Sequence, residues 1–220
     1  MEKQINMKLH LGCGQRYFEG YVNIDYPPSE HTVMEKLIAD KYANITELYY
    51  EPSSIDEVRL HHVFEHFSRP EACALLSNWH TWLKSGGILD IEVPDFELTA
   101  KAALKRFGDP KLRFVALRHL FGSHEAHWAV HYEGYSFKLL GQMLENFGFV
   151  VKEEKRNKHK GTYNIEVIAT KSNTKLSSTE LEQRARKWLT NFLVDESEQN
   201  LLEAWMDKYR ALVNLQKQIK

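Results

Sequence analysis

The spacing of apolar and polar positions changes period several times along the chain, and each change falls at a glycine, a proline or a polar cluster. Lys8–Leu11 and residues 21–24 are short apolar runs, which predicts two strands joined by the Gly12-Cys13-Gly14 turn and a short helix. Residues 37–40 predict a weak third strand. Ile55–His61 predicts a fourth, entered through the turn signal Pro52-Ser53-Ser54. From Pro70, Ala72, Leu75, Leu76, Trp79, Trp82 and Leu83 recur at helical spacing, and Gly86-Gly87 ends the pattern. Residues 88–93 follow as a strand stopped by Pro94. Residues 96–121 predict helix in two pieces broken at Gly108-Asp109-Pro110, and residues 137–147 a helix capped by Gly148. Two strands close the series, 149–155 and 163–170, joined by a basic turn within residues 152–160, expected to be a solvated hairpin tip.

Strands alternating with helices predict an α/β fold on a mostly parallel sheet, and the last two strands predict an antiparallel strand at one edge. This unit spans residues 1–171. Residues 172–220 read as a polar linker and a C-terminal helical hairpin with two apolar stripes, one carrying Trp188 and the other Trp205. Isolated helices of this length are marginal in water, so the stripes must pack on something. The two tryptophans favour a homodimer contact.

Composition narrows the partners. In 220 residues, 29 Lys+Arg face 30 Asp+Glu, so no overall charge draws the chain to nucleic acid or an anionic membrane. The two cysteines build no disulfide framework. The N-terminus lacks a signal-peptide pattern, and no apolar run approaches the roughly 20 residues of a membrane span. The expectation is a cytoplasmic protein without a membrane span.

The chemistry begins at the glycine turn. A strand-to-helix glycine turn lets backbone approach a ligand, but Tyr17 stands where a dinucleotide fingerprint has its third glycine. Asp25 follows Gly14 by 11 residues instead of about 20. A pyrophosphate cofactor is disfavoured, while the Asp25 carboxylate can accept from both hydroxyls of a ribose.

With Leu11-Gly12-Cys13-Gly14, Asn23-Ile24-Asp25, Ser54-Ile55-Asp56-Glu57-Val58, His62-Val63-Phe64-Glu65-His66 and Leu83-Lys84-Ser85-Gly86-Gly87 in order, residues 8–170 resemble the class I S-adenosylmethionine-dependent methyltransferases. Within that family the chain is similar to bacterial enzymes of glycan and surface-polysaccharide modification. The resemblance implies a Rossmann-like three-layer sandwich on a seven-stranded sheet, with S-adenosyl-L-methionine as cofactor. Gly12, Cys13 and Gly14 would approach its methionine part, Asp25 its ribose, and Asn44 with Ile45 its adenine. The family usually has Asp where Asn44 stands, and Asp40 is the alternative. The backbone at His61 and His62 would lie against the methionine end.

The implied reaction is O-methylation of a sugar, glycan or other small hydroxyl acceptor; the alternative is a non-catalytic cofactor-binding subunit that scaffolds a partner enzyme. Residues 122–135, rich in histidine and aromatics, would line the acceptor pocket. An imidazole suits removal of a hydroxyl proton, so His131 is the expected base and His127 the second candidate. His124, His127, His131 and Glu125 have a spacing that would let them ligate a metal from one helical turn, but such spacing is common by chance and no metal is expected.

Overall fold

The computed structural model describes residues 6–31, 33, 38–159 and 161–218, the last five by backbone only. Strands β1 (Lys8–Leu11), β2 (Val22–Asp25), β3 (Lys41–Tyr42), β4 (Ile55–His61), β5 (Leu83–Pro94), β6 (Phe149–His159) and β7 (Thr162–Lys171) form one seven-stranded sheet in the order β3-β2-β1-β4-β5-β7-β6. The first five are mutually parallel, and β7 runs antiparallel to both β5 and β6. The antiparallel strand is therefore not at the edge, as the sequence suggested, but one place in from it. The tight β6–β7 connection forces the reversal. Composition then decides which strand goes inside: β7 is largely buried, whereas β6 from Glu153 to its end is exposed. The charged strand takes the edge, where its side chains discourage further pairing. The expected basic turn is thus mostly strand.

The third strand also differs from expectation. It forms at Lys41–Tyr42, while residues 38–40 are unpaired as strand and residue 37 lies outside the described residues. Asp40 is occupied otherwise: its carboxylate accepts from the Asn23 backbone N–H at 2.8 Å and from Tyr17 OH at 3.0 Å.

Register sorts the side chains onto two unlike faces. Leu9, Leu11, Val58, Leu60, Leu89, Ile91, Val167 and Ala169 share one face and are all fully buried. They join one core with α1 (Arg69–Trp82), α4 (Phe137–Asn146), α5 (Ser178–Thr190) and α6 (Gln199–Gln218). Helix α1 starts with a capping box, Glu71 accepting the Ser68 N–H at 2.7 Å. It is buried almost all round, because the sheet lies on one side and α5 and α6 on the other. The C-terminal stripes are consumed here: Leu202, Met206 and Tyr209 are buried, and Tyr209 OH lies 2.9 Å from Ser77 Oγ. Trp188 is in the same core and Trp205 packs against it, so the apolar surface expected to hold a second copy covers the chain's own α1.

The other face is polar: His10, Asn23, Arg59, Asp90 and Glu166 line it. Right-handed crossovers from β1 to β2 to β3 would place their helices on this face. Among the described residues those connections hold only one short 3-10 turn, Pro28–Glu30. The helix expected after Gly14 is absent, the few residues before Val22 being too few for a helix and a return, and among the described residues no second helical layer is built there. The polar groups satisfy one another instead. Arg59 pairs with Asp90, His10 Nδ1 lies 3.0 Å from Asn23 Oδ1, and the Phe18 ring covers Arg59 at 5.1 Å.

Helices α2 (Phe96–Leu104) and α3 (Pro110–Phe121) break where the sequence predicts and fold back on each other. They carry His119 to the start of β7, where its Nε2 lies 2.9 Å from Asn164 Oδ1. No described helix is long and apolar enough to cross a membrane.

Candidate active site

The strand order reverses between β1 and β4, and open α/β sheets bind ligands in the crevice at such a point. A cavity of about 210 Å³ lies there, lined by Gly12, Gly14, Asp25, Ile45, Val63 and Trp128 among others. A second, of about 250 Å³, is lined by Glu65, His119 and His131. Both are walled by His62, His66 and Trp128, so they are two halves of one cleft. Either half alone falls short of the ~300–1,000 Å³ of a typical ligand pocket.

The glycine turn builds the floor of the first half. Gly12 and Cys13 donate their N–H groups to Ile24 O at 2.8 and 3.1 Å, which ends β1 against β2. Gly12 has φ +67°, and a Cβ there would sit 2.3 Å from Val63 Cγ2; Gly14 has φ +55° and only open space where its Cβ would be. Gly12 is therefore a packing glycine, while Gly14 keeps the cleft clear. Asp25, 6% exposed, lies beneath the turn, and its two oxygens accept from Gly14 N and, at 2.7 Å, from Tyr26 N. A carboxylate has about four lone-pair sites, so Oδ2 keeps one, while Oδ1 also has His31 Nε2 at 3.3 Å. The Cys13 side chain is buried with its thiol 3.8 Å from Gly14 O, and burial with the nearby Asp25 charge pushes the thiol up to about 12.

At the far end Ile45 lines the cleft but Asn44 does not. The Asn44 side-chain oxygen Oδ1 caps a 3-10 turn, accepting from Thr46 N at 3.0 Å and Thr46 Oγ1 at 2.9 Å. Asp40 is held by Asn23 and Tyr17, so neither polar candidate for the adenine end points into the cavity. His61 is turned away as well: as the last residue of β4 it belongs to the polar face, with Nε2 3.3 Å from Asp90.

His62 follows in the left-handed region at φ +57°, unusual for a residue with a side chain. Its ring thereby enters the cleft, Nε2 3.2 Å from Glu92 and Nδ1 3.5 Å from Glu65. Burial alone would lower its pKa, but the two carboxylates outweigh that and hold it up at about 9. His62 is a cation at neutral pH.

The histidine-rich segment resolves into separate roles. It is not a helix: residues 122–135 are turns and isolated bridges. His127 is 76% exposed with Nδ1 3.9 Å from Glu30, and His124 Nε2 lies 2.9 Å from Phe121 O, so the helical ligand set suggested by the spacing does not assemble. His131 alone of the three histidines lines the inner cavity. Its Nδ1 lies 3.0 Å from the His119 carbonyl and donates to it, which leaves Nε2 with a lone pair. Burial pushes its pKa down to about 4, so the imidazole is neutral at physiological pH and suited to presenting that lone pair. Trp128 donates Nε1–H to Glu30 O at 2.8 Å and stacks over Tyr26, forming a wall common to both halves.

Two groups escaped sequence reasoning. Glu65 stands in the His62–His66 block with nothing in the local pattern to mark it out, yet it is 1% exposed and borders the inner cavity. His119 lies in the last turn of α3, where nothing in the local pattern sets it apart.

Comparisons with known proteins agree with this geometry. Residues 9–91 match the family model described as a methyltransferase domain. The fold recurs in an S-adenosylmethionine-dependent methyltransferase of Mesorhizobium loti (TM-score 0.53, 13% identity, 77% of this chain and 93% of that one). It recurs in a Methanosarcina mazei methyltransferase (0.52, 16%, 77% and 94%). A third is the 1,6-didemethyltoxoflavin-N1-methyltransferase of Burkholderia thailandensis, solved with S-adenosylhomocysteine (0.51, 15%, 76% and 71%). No curated protein matches. Residues 9–91 are thus similar to a methyltransferase domain, on a fold shared with S-adenosylmethionine-dependent methyltransferases.

Proposed function

We propose that this chain transfers the methyl group of S-adenosylmethionine to an oxygen of a small hydroxylated acceptor of the sugar or glycan kind. The supporting observation is the junction of the two cavities at His62, His66 and Trp128, where the glycine-turn half meets the histidine-lined half. Asp25 holds the ribose hydroxyls, the Gly14 amide and the space above it receive the amino-acid end, and Ile45 gives the adenine an apolar wall. The cofactor supplies an electrophilic methyl on a sulfonium. The chain's own contribution is to bring the acceptor oxygen into line behind it, which converts a bimolecular encounter into a positioned one. His131 Nε2 faces the acceptor side, with Trp128 as a flat surface for a ring. His127 is too exposed to share that task.

The reading is tested by parallel calorimetric titrations with S-adenosylmethionine, S-adenosylhomocysteine and NAD, followed by methyl transfer from labelled cofactor to panels of polyols, sugars and amines. Binding of both sulfur ligands and label on hydroxyl acceptors is expected. Binding of NAD alone would overturn it, label only on amines would move the acceptor to nitrogen, and tight binding without turnover on any panel would return the scaffold reading.

A further inference from the structure

The carboxylate of Glu65 is an anion without a settled partner. It is 1% exposed, and neither of its oxygens accepts a well-formed hydrogen bond. Leaving a buried carboxylate in that condition costs several kcal/mol or more, so such charges are paired or coordinate a cation. His62 lies at the limit of bonding distance, 3.5 Å, and the same imidazole also faces Glu92 at 3.2 Å. Two buried carboxylates thus share one ring.

Two further imidazoles lie beside the Glu65 carboxylate, each with one nitrogen within 4.8 Å of a Glu65 oxygen. His66 Nδ1 lies 3.1 Å from Val130 O and His131 Nδ1 lies 3.0 Å from His119 O. Both bonds run to carbonyls, so in each ring Nδ1 carries the proton and Nε2 keeps its lone pair. Fixing the ligating nitrogen by a backbone carbonyl on the other is what metal-bound histidines do. His131 Nε2 is 3.9 Å from Glu65 Oε1, and one donor atom from each of Glu65, His66 and His131 lies within 4.8 Å of the others. Ligands about 2.1 Å from one ion sit roughly 3.0–3.5 Å apart, so closure takes movements of about an ångström in side chains bordering an open cavity.

A second cluster, His61 with Asp90 and Glu166, is as compact, but the Arg59 guanidinium already pairs with Asp90 and lies 3.8 Å from Glu166. Its charge is met. At Glu65 it is not.

We infer that Glu65, His66 and His131 form a binding site for a divalent first-row transition cation inside the acceptor cavity. Two histidines and one carboxylate on one side of an ion leave positions open on the other, here toward the space walled by Trp128 and His62. An acceptor with two neighbouring oxygens, a vicinal diol or a hydroxyl beside a carbonyl, would fill two of them. The bound hydroxyl loses its proton to solvent more readily. Its oxygen then forms the bond to the methyl carbon as the carbon–sulfur bond breaks, with the bonding pair going to sulfur. This inference rests on the acceptor cavity assigned above and not on the sequence spacing of His124, His127 and His131.

The test uses the untagged full chain, stripped with chelator and titrated with Mn²⁺ followed by electron paramagnetic resonance, and separately with Co²⁺ followed by its visible spectrum. One equivalent per chain is expected. Glu65→Gln, His66→Ala and His131→Ala should each weaken Mn²⁺ binding tenfold or more while the chain still unfolds cooperatively, and His124→Ala should not. Absence of a stoichiometric site, or a site that survives all three substitutions, overturns the inference. S-adenosylhomocysteine binding without Mn²⁺ binding removes the cation and leaves the methyltransferase reading, whereas Mn²⁺ binding without either sulfur ligand does the reverse.

Discussion

Alanine placed at Gly12 and at Gly14 should do different things, although both glycines sit in one turn with similar backbone angles. At Gly12 the left-handed φ of +67° costs an alanine about 1–2 kcal/mol. The new Cβ would also stand 2.3 Å from Val63 Cγ2, which must retreat by roughly an ångström, and overpacking of that kind costs about 1–3 kcal/mol. The sum, about 2–5 kcal/mol, corresponds to a fall in melting temperature of roughly 4–20 °C for a chain of this size. At Gly14 the backbone term is present but the packing term is not, because nothing lies within 4 Å. Gly14→Ala should lose about 1–2 kcal/mol of stability and, since its methyl projects into the glycine-turn half of the cleft proposed to hold the cofactor, lose most affinity for S-adenosylhomocysteine. Thermal unfolding and calorimetry on both variants separate the two effects. In a Val63→Ala background the Gly12→Ala penalty should shrink by about 1–3 kcal/mol, the coupling expected of side chains in contact. Equal stability losses in the two variants, or full cofactor affinity in Gly14→Ala, would refute this division of roles.

Two more outcomes follow from the core. His80 is 1% exposed, and burial, assisted by Lys171 and Arg184, pushes its pKa down to about 4. The unfolded chain therefore binds more protons than the folded one between the ordinary histidine pKa of about 6.5 and the folded value. Stability is fully present above this window and falls by up to about 3 kcal/mol as pH drops through it; His80→Leu should flatten that part of a urea-denaturation profile, and an unchanged slope would count against it. Met206, fully buried where α6 meets α1, should cost about 2–4 kcal/mol when cut to alanine, and an unaltered denaturation midpoint would mean that the C-terminal helices are not docked as described.

The fold was readable wherever the information is local. Helix α1 declares itself by its capping box and by apolar residues at helical spacing, and β1 by its run into Gly12. The identity of the inner strand was also present in composition, since β7 is apolar and the end of β6 is charged, although the expectation of an antiparallel edge overlooked it. The site was less legible. Asn44 sits where the family resemblance placed an adenine contact, but a side-chain oxygen one residue before a 3-10 turn is drawn to cap it. His61 and His62 are neighbours in sequence and opposite in space, because strand alternation sends one to the polar face and the positive φ of His62 sends the other into the cleft.

By itself the sequence determined the main helices, the central strands and the glycine turn with its early aspartate, because each depends on residues within a turn or two of one another. Only the tertiary structure decided that the C-terminal stripes cover α1. It alone left His127 exposed and set His131 in the cavity wall, and it gathered Glu65, His66, His119 and His131 from β4's end, α3 and the following loop around one cavity. His66 reaches the Val130 carbonyl across 64 positions of chain, and no local periodicity records a contact closed by strand order and helix packing.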